Sequence, residues 1–451
     1  MANDIRHTGP ARVAPAPAVV EDAHPVAAPG ELERYWVEDD AHPTVIVLHA
    51  SVGSGHRTAA VAIAKAFERL RDEGTLPADL RIELVDCMTE NRFEVDGNAY
   101  TTMFIGPTRP IYDVTWRYNL TGRILWGGGT VWSRIVMPSF TEHVRKVKPI
   151  AVVSTHIMAA NAAVGARMIT KQSFPVVSVP TDYETEGMWP HLYTDLFCVG
   201  TESMAETLRA RYVDESRIRV TGIPTREGYG LSYDRDAECE RWGLPKDKNV
   251  VLVLAGASLP KPYQRFRNTF DATLPYFHRF KKTHFAIVTG RDEEYADRLK
   301  ALCGALALEN VTVMGYVVDM AALMSTANLV VCKAGGLTVT ECLNAQVPMI
   351  LLGKSYGQEK VNVRMLTSSG CALSVTTPRE LAAAIDKIET HPEVGQAMRF
   401  NESLLSRPDA AADIAMATWE LSQSGVPDYP KRSGRRRFLH PYIGDKPAHV
   451  R

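Results

Sequence analysis

Two short stretches of the chain combine glycines with side chains able to do chemistry. The first is SVGSGHRTAA, Ser51 to Ala60, directly after the apolar run TVIVLHA. Gly53 and Gly55 lack side chains, so backbone N–H groups there can approach a ligand, and the residues from His56 onward have helical apolar spacing. This reads as a strand, a glycine elbow and a helix N-terminus, whose unpaired donors favour phosphate or a developing oxyanion. Taken alone, the segment is also consistent with a tight βα turn and a histidine that caps the helix. The second stretch is NLVVCKAGGLTVTECLNAQVPMILLGKSYGQEKVNVRML, Asn328 to Leu366. Here an apolar run ends at Gly335-Gly336, and Leu337 to Glu341 opens a helix that mirrors the first elbow. Two elbows at facing strand ends would hold a diphosphate between them. Glu341 lies one turn into its helix, where a carboxylate can pair with the vicinal hydroxyls of a ribose. Gln358, Glu359 and Asn362 follow the next strand and carry groups suited to sugar hydroxyls.

Such groups need a rigid frame, and the alternation of apolar runs with helical stretches supplies one. Strands are expected at TVIVLHA, RIELVDC, PIAVVSTH, PVVSVPTD, LFCVGT and RIRVTGIP, then at NVVLVLAGAS, HFAIVTG, NVTVMGYV, ANLVVCKAGG, PMILLG and CALSVT. Continuous apolar strands separated by helices indicate parallel sheets covered on both faces. The polar, turn-rich PTREGYGLSYDRDAECERWGLPKDKN between the two series reads as an interdomain linker. The expected class is α/β, two doubly wound Rossmann-like domains facing a cleft into which the carboxyl ends of the strands point. The expected divisions are a disordered leader at 1–42, a first domain at 43–225, a linker at 226–248, a second domain at 249–408, a helix at 409–430 and a basic tail at 431–451. His156 and Asp182 end two of the first-domain strands and so face the same cleft as His56.

Composition narrows the partners. The chain has 451 residues, 51 Lys+Arg against 52 Asp+Glu, and 45% apolar residues. A net charge near zero gives no global attraction for nucleic acid. No apolar run approaches the roughly 18 residues that span a bilayer. Seven scattered cysteines without a C-x-x-C pair indicate reduced thiols in a cytoplasmic compartment. Two segments leave a membrane surface open as a partner. Met103 to Phe140 carries Trp116, Trp126 and Trp132 and offers either an apolar docking surface or a pair of core helices. The closing segment carries Lys431, Arg432, Arg435, Arg436 and Arg437, which would favour an anionic membrane by roughly 1 kcal/mol per charge, or lie in solvent. Asp234-Arg235-Asp236 has the D-x-D form used to hold a divalent ion on a diphosphate. Its place before AECERWGL fits a helix cap instead, and no metal is expected.

The chain resembles the monogalactosyldiacylglycerol synthase and processive diacylglycerol glucosyltransferase family, with the peptidoglycan lipid II-forming transferase as a more distant relative. The resemblance rests on SVGSGHRTAA, VVSTHIMAANAAV, VPTDYETEGMWPHLYTDLFCVGTESM, VTGIPTREGY, VMGYVVDMAALMSTANLVVCKAGGLTVTECLNAQVPMILL and YGQEKVN. It implies the GT-B arrangement of two Rossmann-like domains, a UDP-sugar donor in the second and an acceptor in the first, with inversion at the anomeric carbon. By that resemblance Gly335, Gly336 and Thr338 grip the donor phosphates and Glu341 the ribose. Gln358, Glu359 and Asn362 meet the sugar, and Tyr316 lies beside the uracil unless it packs between strand and helix. His56 matches the histidine that faces the reaction centre. A neutral histidine within about 3 Å of the acceptor hydroxyl can act as base, with Asp182 or His156 as its orienting partner or as the base in its place. Lys333 or Arg291 would stabilise the leaving UDP without a metal.

The acceptor side, comprising Gly53, Gly55, His156, Glu186 and Trp189, departs from the family. Glu186 stands where relatives have a histidine, with His191 displaced nearby, and Ala255 to Pro260 replace a glycine-rich turn. The expected acceptor is a glycerolipid such as diacylglycerol, reached from the cytoplasm at the inner face of the membrane. A soluble specialised metabolite or nucleotide-linked sugar is the alternative, and UDP-GlcNAc 2-epimerase or non-catalytic UDP-sugar binding are further readings.

Overall fold

The structure is a computed structural model, and it describes residues 42–51, 54–88, 137–185, 189–191, 193–211, 213–256, 260–355 and 359–424. The tryptophan-rich stretch up to residue 136, the leader and the basic tail lie outside them, as do Gly53, Glu186 and Gln358. Each expected strand run contains a strand. The first series forms β1 (Thr44–His49), β2 (Arg81–Asp86), β3 (Ala151–Ser154), β4 (Val176–Ser178), β5 (Leu196–Val199) and β6 (Ile218–Val220). The second forms β7 (Asn249–Leu254), β8 (Thr283–Val288), β9 (Val311–Met314), β10 (Leu329–Cys332), β11 (Met349–Leu352) and β12 (Ala372–Val375).

These strands form two six-stranded sheets, ordered β2-β1-β3-β4-β5-β6 and β12-β11-β10-β7-β8-β9. All pairings are parallel, with Val45 beside Ala151 and Val330 beside both Met349 and Leu252. Every residue of β1, β3, β8, β10 and β11 is buried, because helices cover both faces. In each sheet the strand order reverses at one place, between β1 and β3 and between β7 and β10. Both glycine elbows leave the sheets at these reversals, one after β1 and one after β10. Neighbouring connections diverge there to opposite faces and leave a crevice, which is where open α/β sheets bind ligands.

The chain passes between the two halves twice, and the two passages touch. Gly222 and Gly230 lie at φ 97° and 86°, and a Cβ on Gly230 would come 2.9 Å from Pro408. Asn344, 1% exposed, accepts from the Arg407 N–H at 2.8 Å and donates to Thr225 Oγ1 at 3.1 Å, tying one passage to the other. Beyond the second passage, the Ala410–Ser424 helix returns to the first half. It buries Ile414, Ala415 and Ala417 with Val45, Ile63 and Phe67. A fully buried Val, Ile or Phe side chain contributes roughly 1.5–3 kcal/mol. The polar stretch between the sheets is therefore packed at its start rather than extended. Within it Asp234 caps the Arg235–Arg241 helix by accepting from Asp236 and Ala237 N–H groups at 3.0 and 3.2 Å.

All seven cysteines are buried free thiols. Glu402, fully buried on the Pro392–Leu405 helix, has no hydrogen-bond partner at either carboxylate oxygen among the described residues. Burial pushes its carboxyl up to about 9, and the Arg399 charge offsets only part of that. It folds protonated, whereas in the unfolded chain it ionises at an ordinary value near 4.5. Its contribution to stability is therefore full in acid and lost as pH rises through that window. The Glu402→Gln variant should lose this dependence and gain a few degrees in Tm at pH 8, with little change at pH 4. Parallel Tm profiles for the two proteins across that range would refute the assignment.

Candidate functional site

The first elbow is built on strand ends that share a sheet. Asp86, at the end of β2, accepts from the N–H groups of Ser51 and Met88 at 3.2 and 2.9 Å and also pairs with the Ser51 hydroxyl. This braces the turn that feeds the Ser54–Asp72 helix. His56 stands in the first turn of that helix, with its ring between the residues that follow β3 and β4. Nδ1 lies 3.1 Å from the Thr155 carbonyl oxygen and 2.8 Å from Thr181 Oγ1. A carbonyl oxygen only accepts, so Nδ1 carries the ring hydrogen and the Nε2 lone pair is left for chemistry. The Thr155 hydroxyl donates to the His56 carbonyl at 2.9 Å and fixes the backbone beneath the ring.

His156 meets the His56 ring edge-on, with centroids 4.4 Å apart. Its Nδ1 accepts from the Met158 N–H at 3.2 Å and so caps the Ile157–Thr170 helix. Burial lowers the proton affinity of His49, His56 and His156, and for His56 the Asp182 carboxylate and the Thr155 hydrogen bond oppose that effect. The three rings are neutral at physiological pH.

The second elbow differs in a useful way between its two glycines. Gly335 is the N-cap of the Gly336–Ala345 helix and offers no side-chain cap. Among the described residues, a Cβ built on Gly335 would meet nothing within 4 Å, which leaves space beside this glycine. A Cβ on Gly336 would collide with the Thr181 carbonyl oxygen and lie 2.7 Å from Asp182 Oδ1. Gly336 is therefore glycine because the two halves meet there, whereas Gly335 leaves room at the half-buried helix start. Thr338 lies half-buried in the same first turn. The elbows face each other, since a Cβ on Gly55 would lie 3.8 Å from that of Leu337.

Glu341 is enclosed by the passage between the sheets. Burial pushes its carboxyl up to about 7 against the opposing effects of the Arg226 charge and a hydrogen bond from Tyr229. Gly228 and Gly230, at φ 104° and 86°, flank Tyr229, which is 6% exposed. Lys333 forms an ion pair with Glu359, whose carboxyl is raised by burial. The Arg291 guanidinium lies over the Tyr316 ring at 4.6 Å, and Tyr316 is 47% exposed. Tyr316 therefore does not pack between strand and helix. It forms an open aromatic shelf at the end of β9.

Two expected site residues have other surroundings. Trp189 is 3% exposed and meets Phe197 edge-on with centroids 6.3 Å apart, so its ring fills the core instead of lining an acceptor surface. Asn362 is fully buried and its amide is spent on protein groups. It accepts from the Tyr183 N–H at 2.9 Å and donates to Asp182 Oδ1 at 2.8 Å and to the Ala334 carbonyl at 2.9 Å. His191 stacks on Phe197 at 5.6 Å as a core residue. The site also includes Thr155, Thr181, Tyr183, Arg226, Tyr229 and Thr340, none of which was expected from the sequence. Thr155 and Thr181 belong to the quoted strand-end runs, and Gly228-Tyr229-Gly230 is a visible signal of an inward turn. Among the described residues, no group of three or more His, Cys, Asp or Glu side chains is placed to hold a metal ion.

Known proteins share both halves. Residues 56–225 match the monogalactosyldiacylglycerol (MGDG) synthase model, and residues 252–414 match that of the glycosyltransferase family 28 C-terminal domain. A processive diacylglycerol beta-glucosyltransferase of Bacillus cytotoxicus is 26% identical over 405 residues, covering 87% of this chain and 97% of that protein. The crystal structure of Acinetobacter baumannii MurG aligns at a TM-score of 0.53 with 16% identity, covering 84% of this chain and 100% of the other. The UDP-GlcNAc 2-epimerase of Neisseria meningitidis bound to UDP-GlcNAc aligns at 0.57 with 13% identity over 84% and 100% of the two chains. These two structures share the GT-B-type fold of this chain, and at such identities the likeness concerns the fold alone.

The electrostatics around His56 can be measured directly. Its ring should titrate below the usual imidazole value, and Asp182→Asn should lower it further by removing the charge that favours the protonated ring. Histidine ring chemical shifts followed from pH 4 to 8 report this. An unchanged His56 titration in the variant would separate Asp182 from the site.

Proposed function

We propose that this chain, a UDP-sugar glycosyltransferase that belongs with the MGDG synthase and family 28 transferases, moves a hexose to a hydroxyl of a glycerolipid such as diacylglycerol, inverting the anomeric carbon without a metal. The observation that carries the reading is the opposition of the two elbows. A neutral histidine with Nε2 available stands on one, and an uncapped helix start with open space at Gly335 stands on the other.

In this reading His56 Nε2 takes the proton of the acceptor hydroxyl as its oxygen attacks the anomeric carbon. The bond to the diphosphate breaks, and UDP leaves carrying the negative charge. The N-terminus of the Gly336–Ala345 helix and the Lys333 ammonium face that charge and supply the stabilisation a divalent ion would otherwise give. Gly335 and Thr338 hold the phosphates, Glu341 the ribose, and Tyr316 with Arg291 flank the base. Glu359 and Gln358 serve the sugar, Gln358 lying outside the described residues. Asp182 keeps His56 from becoming too weak a base in its buried setting. Gly55 and His156 shape the acceptor side, and the basic tail, also outside the described residues, would draw the protein to an anionic membrane. No helix among the described residues is long and apolar enough to cross one.

The test is UDP release from UDP-glucose and UDP-galactose, with chelator present, in the presence of diacylglycerol vesicles. Release together with a β-linked glycolipid supports the proposal. Release only with a soluble extract would move the acceptor out of the membrane, and sugar recovered as an epimer would assign the chain another reaction. His56→Ala should lower kcat by roughly 10²–10⁴ while UDP still binds. Glu341→Gln should raise the donor KM and leave kcat nearly intact, and full turnover by the His56 variant would place the base elsewhere.

A further inference from the structure

The Asn362 amide links both halves of the molecule. The residues after β4 supply two of its partners, the Asp182 carboxylate and the Tyr183 N–H, and Ala334, just before the glycine pair, supplies the third. The partner types fix the amide's orientation, because an N–H must meet its oxygen and a carbonyl must meet its nitrogen. Both amide hydrogens are used and the side chain is fully buried, so the amide is committed to protein while the halves are together.

Adjacent contacts act in the same direction. Thr340 Oγ1 donates to the Gly336 carbonyl at 2.7 Å, so at its 2.8 Å contact with Tyr183 it receives the tyrosine hydroxyl proton. The Thr181 carbonyl sits where a Gly336 side chain would stand. Thr181 also touches His56 Nδ1, and Asp182 raises the His56 proton affinity. The three residues that Asn362 holds or adjoins on the first half therefore include Thr181 and Asp182, which act on His56 together with Thr155.

We propose that Asn362 is a positioning residue, a latch that closes the Gly336 elbow onto residues 181–183 and thereby orients Thr181 and Asp182 against His56, rather than a ligand of the donor sugar. The catalytic part of this inference rests on His56 being the base of the transfer reaction. The latch itself is a statement about closure and can be tested without turnover. When the halves separate, Asp182 and Tyr183 lose their Asn362 partner, so Thr181 and Asp182, which share the first half with His56, are no longer held in place against its ring.

The experiment compares wild-type full-length protein with Asn362→Asp, which sets a second carboxylate against Asp182, and with Asn362→Ala and Tyr183→Phe. Small-angle scattering should show a larger radius of gyration for Asn362→Asp and Asn362→Ala, with a smaller increase for Tyr183→Phe. Calorimetry should give UDP affinity within about threefold of wild type, while kcat for UDP release falls roughly a hundredfold and the His56 titration moves. Should Asn362→Asp fail to fold, the Ala and Phe variants still decide the question.

Unchanged scattering together with an unchanged His56 titration would overturn the latch. So would a compact Asn362→Ala protein that binds UDP normally but has lost its added affinity for UDP-sugar, since that is the behaviour of a sugar ligand. A wild-type protein that releases no UDP with any acceptor would remove the transferase reading, while the scattering and histidine measurements would still judge the latch.

Discussion

The site depends on one close approach, that of the chain leaving β4 to the start of the Gly336–Ala345 helix. A main-chain carbonyl, that of Thr181, occupies the space a side chain at Gly336 would need. Any other residue would push the halves apart by displacing backbone, which cannot yield as the end of a flexible side chain can. That contact places the helix start opposite His56 and Asp182 and Thr181 beside the imidazole. Gly335, beside it, has no described atom within 4 Å of where a Cβ would stand, so the dipeptide serves packing at one position and leaves space at the other. The tie at Asn344 joins the two chain passages between the halves.

Burial around this contact tunes acids and bases in opposite directions. Enclosure disfavours charge, so it lowers the proton affinity of the three histidines and raises that of Glu341 and Glu359. Histidines of lowered proton affinity result on the first half, with carboxylates of raised pKa on the second. Glu359 keeps Lys333 beside it, whereas Glu341 is held by Tyr229 and Arg226. The latter two residues belong to the passage between the sheets. Glu341 therefore responds to the position of that passage as well as to its own helix.

The frame was legible in the sequence for a physical reason. Strands buried on both faces read as unbroken apolar runs, and both glycine elbows stand immediately after such runs. The chemical types at the elbows were legible too, since a histidine after glycines and a glycine pair before a helix are local patterns. Partners across the cleft were not. Asn362 has a side chain suited to a sugar, and only the fold reveals that Asp182, Tyr183 and Ala334 use it. Trp189 sits among residues expected at an acceptor surface, yet its burial against Phe197 depends on long-range packing. Arg226 and Tyr229 lie in a polar stretch that reads as a linker, although its two left-handed glycines carry the signal of a built turn. Glu402 gives no local sign of its isolation, because the absence of a partner is a property of the packed core.

A division of labour across a cleft has a consequence for side reactions. In the proposed reaction the base, His56, would stand on the first half and the groups that receive the leaving charge on the second, so neither half alone would hold a complete site. In an open cleft, water screens the helix N-terminus and solvates the imidazole, which weakens the stabilisation of a developing diphosphate charge and returns His56 toward ordinary basicity. In the structure, Gly336 and Asn362 meet residues 181–183 through contacts that exist only between the halves. Under the proposed function, a donor bound to the second half of an opened molecule would be protected from hydrolysis by the distance between the two sets of groups.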